Sequence, residues 1–129
     1  MTWGIYQSGE RILAKDYSAA LSKWDTYAHA MEKVHEQYDL ILTPSVSDVA
    51  PLHTQFPMEE SVRQALEHMD ELSVPEQQSV IWRMFDRTLA LTPFTQLSNI
   101  TGAPAISLPV FLTEKGLPIG VQLMAARGQ

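Results

Sequence analysis

The stretch Pro93–Ala125 constrains this chain more than any other, because proline and glycine recur in it so often that few backbone paths remain. Two short apolar runs, Ala105–Pro109 and Leu117–Met124, flank the turn Thr113-Glu114-Lys115-Gly116. Apolar runs on either side of a glycine-containing turn predict a β-hairpin, with its strands buried on at least one face. A short helix ending at Gly102 feeds the first strand, glycine being the residue that tolerates the left-handed terminator. Thr92 and Pro93 open that helix as cap and first helical residue.

The segments ahead of the hairpin are mostly helical. Tyr17, Leu21, Trp24, Ala28, Met31, Val34 and Tyr38 recur at three- and four-residue steps, which predicts a long amphipathic helix over about 14–37. Its apolar stripe is expected to face a core. Thr2–Ser8 reads as a short helix with Gly9 as a left-handed terminator. Leu40-Ile41-Leu42, bounded by Asp39 and Pro44, predicts a short strand of the parallel-sheet kind, buried on both faces. Ser45–Pro57 is a loop. Loops leaving a sheet often line active sites, so Ser45, Ser47, Asp48 and His53 are candidate residues there. Met58–Leu72 has helical spacing. Ser73, Pro75 and Glu76 then signal a capping box, opening a helix over 74–91 that buries Val80, Ile81, Met84, Phe85, Thr88 and Leu89. Helix, strand, loop, helices and hairpin make an α/β arrangement with too few strands for a full sheet. Both ends look cut, which predicts a fragment.

Composition excludes several classes. The 129 residues carry a net charge of −6, with only 9 Lys and Arg, scattered rather than clustered. That balance argues against nucleic acid or an anionic membrane as partner. Zero cysteines exclude thiol catalysis and disulfides. No signal peptide or membrane-length apolar run is visible, so a cytoplasmic setting is the default expectation.

Chemistry is harder to find. His29, His35, His53 and His68 share no helical face at ligand spacing, so no metal is expected, and no cofactor either. No G-x-S-x-G elbow, glycine-rich phosphate loop or Ser-x-x-Lys pair occurs. Glu59, Glu60, Glu67, Asp70 and Glu71 read as a solvated helix surface. On residues alone, the chain holds no catalytic set.

The hairpin stretch nevertheless resembles a known family. Asn99-Ile100-Thr101-Gly102-Ala103-Pro104-Ala105-Ile106-Ser107-Leu108-Pro109, followed by Gly116-Leu117-Pro118-Ile119-Gly120-Val121-Gln122-Leu123, is similar to the C-terminal part of the amidase signature family. Tyr38–Pro44 and the helix-glycine-helix entry Thr2–Tyr17 agree with it, so the resemblance covers nearly the whole chain. It implies a piece of a large α/β domain: several helices on a small sheet, made of a strand near 40–43 and a hairpin near 105–124. The implied reaction is amide hydrolysis or transfer by a Ser–cis-Ser–Lys triad. The family's lysine and Gly-Gly-Ser-Ser segment have no match here, so no catalytic residue is carried over. By the resemblance, Phe94 and Asn99 face the substrate side of the cleft. For Asn99 the competing reading is a hydrogen bond to backbone near Gly102. Gly102 and Gly120 serve backbone geometry, and Gln122 faces a neighbouring polar group on the sheet.

The partner implied is a small-molecule amide, reached through the full-length enzyme. Two other readings stay open: the amidase subunit of a tRNA-dependent amidotransferase, and a non-catalytic interaction module. A fragment with open apolar faces is also expected to self-associate.

Overall fold

The computed structural model describes residues 1–128. The chain divides into two compact units, one formed by Met1–Tyr17 with Leu52–Ala90, the other by Ser18–Pro51 with the residues from Leu91 onward.

The first unit is helical. It contains α1 (Thr2–Gly9), the start of α2 (Ala14–His35), α3 (Glu60–Glu67), a 3-10 turn (Met69–Glu71) and nearly all of α4 (Val74–Leu91). Its core is Val62, Leu66, Met69 and Val80, with Ala65, Leu72, Ile81 and Met84 packed against them. Helical spacing puts Val62, Leu66 and Met69 on one side of the chain, and α4 closes over them with Val80. α1 reaches this core through Gly4, which is buried. A Cβ there would stand 2.4 Å from Leu66 Cδ2.

Polar groups hold the unit at its edges. The wholly buried Gln77 donates from Nε2 to the Met69 carbonyl at 2.5 Å, a second bond to an oxygen that also accepts from the Leu72 N–H at 3.3 Å. Arg11 donates to the carbonyls of Leu72 and Asp70 at 2.6 and 2.8 Å. Glu76 accepts from the Ser73 N–H at 2.9 Å and from its hydroxyl, so the capping box forms through its glutamate half.

Two expectations change here. Gly9 is not a left-handed terminator: it lies inside α1, and the helix ends in Glu10 at φ −61°. Hydrogen bonds from Arg11 and Ile12 to the Ser8 and Gly9 carbonyls make the turn, so no positive φ is needed. The helix expected over 58–72 stops at Glu67, because His68 leaves the helical region and Leu72 is extended ahead of the next cap. α4 occupies Val74–Leu91 as its capping signal predicts. Val80 is buried, Ile81, Met84, Phe85 and Leu89 are half-buried, and Thr88 is exposed.

The second unit holds most of α2, β1 (Leu40–Pro44), α5 (Thr95–Thr101), β2 (Ala105–Leu112) and β3 (Pro118–Ala125). The three strands form one sheet in the order β1-β3-β2, antiparallel throughout. The hairpin turn is the one expected. The Gly116 N–H donates to the Thr113 carbonyl at 2.9 Å, and Gly116 takes φ 77°. Gly102 ends α5 at φ 67°, in the left-handed conformation. α5 starts two residues later than Thr92 and Pro93 predict, at Thr95, because Pro93 and Phe94 form a turn instead. The Thr92 hydroxyl accepts from Gln96 Nε2 at 3.1 Å.

β1 is neither parallel nor buried on both faces. It is an edge strand paired antiparallel to β3, and Leu40 and Leu42 are 54% and 65% exposed. The partner strand returns from a hairpin, so its direction is reversed, and no βα crossover lays a helix on the second face. β2 is exposed at every position, against the expectation of a buried face. The α2 stripe is also open: Tyr17, Leu21, Trp24 and Val34 are exposed, and Ala28 alone of the helix is buried.

Register explains which residues meet. Thr43, Gln122 and Ser107 form one cross-strand row; Leu42, Leu123 and Ile106 form the next. Side chains in adjacent rows point to opposite faces. One face therefore carries Met124 and Gln122, both buried, with Gly120, Thr43 and Ser107. The other carries Leu40, Leu42, Ile106 and Leu108, all exposed, with Val121 and Leu123 half-buried between them. A bulge between Pro109 and Phe111 shifts the register by one residue.

Candidate functional site

The candidate residues fall on α5, on the loop after β1 and, for His53, in the helical unit. Phe94 is the N-cap residue of α5, 41% exposed, without a side-chain cap. Asn99 lies on the same helix, exposed, and its Nδ2 donates to the Thr95 carbonyl one turn back at 3.5 Å. That bond is within α5; the one expected near Gly102 does not form. Five residues along an α-helix is a rotation of about 140°, so Phe94 and Asn99 do not share a face. His53 belongs to the helical unit, in an exposed stretch.

The loop after β1 is better ordered by its bonds than its composition suggests. Pro44 turns its nitrogen to the free edge of the sheet, where no donor is needed, and the ladder continues past it: the Ser45 N–H donates to the Gly120 carbonyl at 3.0 Å. The Ser45 hydroxyl is bonded to the Ser107 hydroxyl at 2.5 Å. Two residues on, the Ser47 N–H donates to the Leu91 carbonyl at 2.9 Å. Asp48 Oδ1 then accepts from the Val49 N–H at 2.7 Å, a local turn bond of the kind aspartate favours.

Gly120 makes the serine pair possible. A Cβ on it would lie 2.8 Å from Ser45 Oγ and 3.0 Å from Ser107 Oγ. The Gly120 backbone role was legible in the sequence; the pairing of Ser45 with Ser107 was not. It follows from β1 lying beside β3, which no local signal announces. In the same row Gln122 is buried beside Thr43 and Ser107, in line with a polar neighbour on the sheet. Thr43 Oγ1 is buried without a partner.

Chemically, this is a structured wall rather than a reacting centre. Neither serine hydroxyl is hydrogen-bonded to a histidine, lysine or carboxylate among the described residues, so neither has an activating base. No group of His, Asp and Glu suited to a metal occurs among the described residues. No helix among them is long and apolar enough to cross a membrane. The helical unit has its own recess of about 280 Å³, lined by Phe56, Met58, Trp82, Arg83 and Arg87. Its Arg83 is already engaged by Glu59 and Ser61 at 2.9 and 2.7 Å, and that bond holds the Glu59 carboxyl below its ordinary value. Among the described residues, the carboxyls held below their ordinary value, Glu59, Glu60 and Glu76, all belong to the helical unit, and the serine pair belongs to the sheet unit.

Comparison with known proteins gives this arrangement a family. The sequence model of the family described as Amidase matches residues 2–129. The chain is 32% identical over 126 residues to a lipoamidase of Enterococcus faecalis, covering 98% of this chain and 17% of the relative. It is 26% identical over 132 residues to the 6-aminohexanoate-cyclic-dimer hydrolase of Pseudomonas sp. (strain NK87), covering 99% of this chain and 24% of the relative. A solved structure of a 6-aminohexanoate cyclic dimer hydrolase superposes with a TM-score of 0.64 at 25% identity, covering 93% of this chain and 22% of that one. The chain thus spans between a sixth and a quarter of the length of these proteins, as a fragment of an α/β fold. On the family match over almost all its residues, the chain belongs to the Amidase family.

Proposed function

We propose that this chain is the C-terminal part of an enzyme that hydrolyses carbon–nitrogen bonds of amides, and that it supplies scaffold and one wall of the substrate cleft. The observation that carries the reading is the superposition on an amide hydrolase over 93% of this chain but only 22% of that one. The names of its relatives agree on amides as substrates, and a related structure is that of the dimer hydrolase complexed with substrate. In this reading the serine nucleophile, the bridging serine and the lysine lie in the remaining part of the enzyme. Phe94, at the entry of α5, and Asn99, on another side of that helix, would reach the substrate side of the cleft from the end of the helix and from its flank respectively. The loop after β1 stands beside them as a second stretch of wall, and the open sheet face and the α2 stripe are covered by the rest of the enzyme.

A free hydrolase is favoured over an amidotransferase subunit by the hydrolase relatives reported above. The test is to express the longest open reading frame containing this chain and assay it on a panel of amides that includes the 6-aminohexanoate cyclic dimer. Hydrolysis by the long protein, with none by the purified 129-residue chain, supports the reading. Turnover by the short chain, or a reading frame without a lysine and a Gly-Gly-Ser-Ser segment, overturns it. Glutamine-dependent amidation in place of hydrolysis would assign the amidotransferase role.

A further inference from the structure

We infer that the Ser45–Ser107 hydroxyl pair, seated over Gly120, is a latch that fixes the path of the loop leaving β1, which makes both serines positioning residues for the cleft. Three observations converge on it. First, Pro44 is the last residue of β1 and turns its donor-less nitrogen to the free edge of the sheet, so the pairing with β3 runs past it only through Ser45. The Ser45 N–H to Gly120 carbonyl bond at 3.0 Å is that last step of the ladder. Second, the Ser45 side chain crosses over β3 to Ser107 on β2, 62 residues away, at 2.5 Å. One short side chain thereby ties the exit of β1 to the far strand of the sheet. Third, the crossing needs the empty space above Gly120, where a Cβ would stand 2.8 and 3.0 Å from the two hydroxyl oxygens.

The consequence lies two residues further. The Ser47 N–H reaches the Leu91 carbonyl at 2.9 Å, three residues ahead of Phe94. The loop is therefore held at both ends of a short span: at Gly120 on the sheet, and at Leu91 just before the turn that enters α5. With the first anchor weakened, the backbone around Ser45 leaves the sheet more readily. The effect on substrate rests on the cleft reading given above; the effect on the loop does not.

Two measurements separate them. In the 129-residue chain, amide hydrogen exchange is compared for wild type, Ser45→Ala, Ser107→Ala and Gly120→Ala. The alanine variants of the serines remove the bond without adding atoms, so they remain informative if Gly120→Ala fails to fold. The expected result is exchange at the Ser45 and Ser47 amides about tenfold faster or more, with the β2–β3 ladder amides unchanged. Restored protection in Ser107→Thr, which keeps a hydroxyl, completes the expected pattern. Unchanged exchange at Ser45 and Ser47, or equal loss throughout the ladder, overturns the latch. The serine variants are then placed in the long amide hydrolase. A KM raised about threefold or more, with kcat within about twofold, supports the positioning role. An unchanged KM in a variant whose loop has lost protection leaves the latch standing but overturns its role in substrate positioning, and with it the placement of this loop in the cleft.

Discussion

The two compact units solve the same problem with unequal means. The helical unit closes a core out of its own residues, although two of its helices have only eight residues each. Val62 and Met69 are 1% and 0% exposed there. The sheet unit has longer apolar runs and buries less of them: β2 is exposed along its whole length, and Leu42 is 65% exposed. The difference is one of geometry. A helix presents one stripe and needs one neighbour, which a short chain supplies. A strand presents two faces and two edges, so a three-stranded sheet needs more covering layers and neighbours than the described residues supply.

Mutations test that contrast. Met69→Ala removes a side chain from the closed core and is expected to cost about 2–5 kcal/mol in urea denaturation, as large-to-small core changes do. Leu42→Ala, on the open face, is expected to stay within about 0.5 kcal/mol, the range of surface changes. Equal losses at the two sites would mean that the sheet face is as well covered as the helical core, and the contrast would be gone. Gly102→Ala is the next largest effect. The new Cβ meets φ 67° and stands 3.0 Å from the Arg127 guanidinium, so a loss of about 1–2 kcal/mol is expected.

A smaller effect reads out in association rather than stability. Leu42→Lys, on the exposed edge strand, is expected to lower the light scattering of concentrated solutions while leaving the thermal midpoint where it was. Identical scattering in the variant would place any self-association elsewhere. Smallest is the response to acid. Glu60 is held down to about 2 from its ordinary 4.5 by hydrogen bonds from Arg63 and Gln64, and Glu59 and Glu76 are lowered by Arg83 and Ser73 respectively. A depressed folded value means that the stabilisation is complete above the unfolded value and is lost as pH falls through the folded one. Helical signal should therefore hold above about pH 4.5 and weaken toward pH 2, slightly, because these groups are exposed. Glu60→Gln should flatten that slope; a variant with the wild-type acid profile would remove the pair from the account.

The helices and the hairpin turn were legible because their signals are local. Ser73 and Glu76 lie three residues apart, Gly102 and Gly116 mark their own left-handed turns, and the α2 stripe repeats along one segment. What failed was the fate of the apolar surface. Periodicity states which side of α2 is apolar, and says nothing about whether a partner is present to cover it. β1 was misread for the same reason: three aliphatics in a row fit a strand covered on both faces, and the chain covers neither fully. The family was legible from spaced motif residues. The substrate wall was only partly so, since Phe94 and Asn99 came from resemblance, while the Ser45–Ser107 bond depends on a strand pairing 62 residues apart in sequence.

The bulge in β2 has a consequence for how the hairpin counts its residues. Up to Pro109 the even-numbered positions Ile106 and Leu108 share the face of Val121 and Leu123. Past the extra residue, Phe111 pairs with Ile119, so an odd-numbered side chain joins that same face. Val110 thus works as a phase switch: it lets a seven-carbon aromatic side chain extend the aliphatic surface instead of turning toward the polar row. A deletion of that one residue would rotate the strand's tip by half a turn and exchange what its two faces offer, an outcome no single substitution at Val110 could produce.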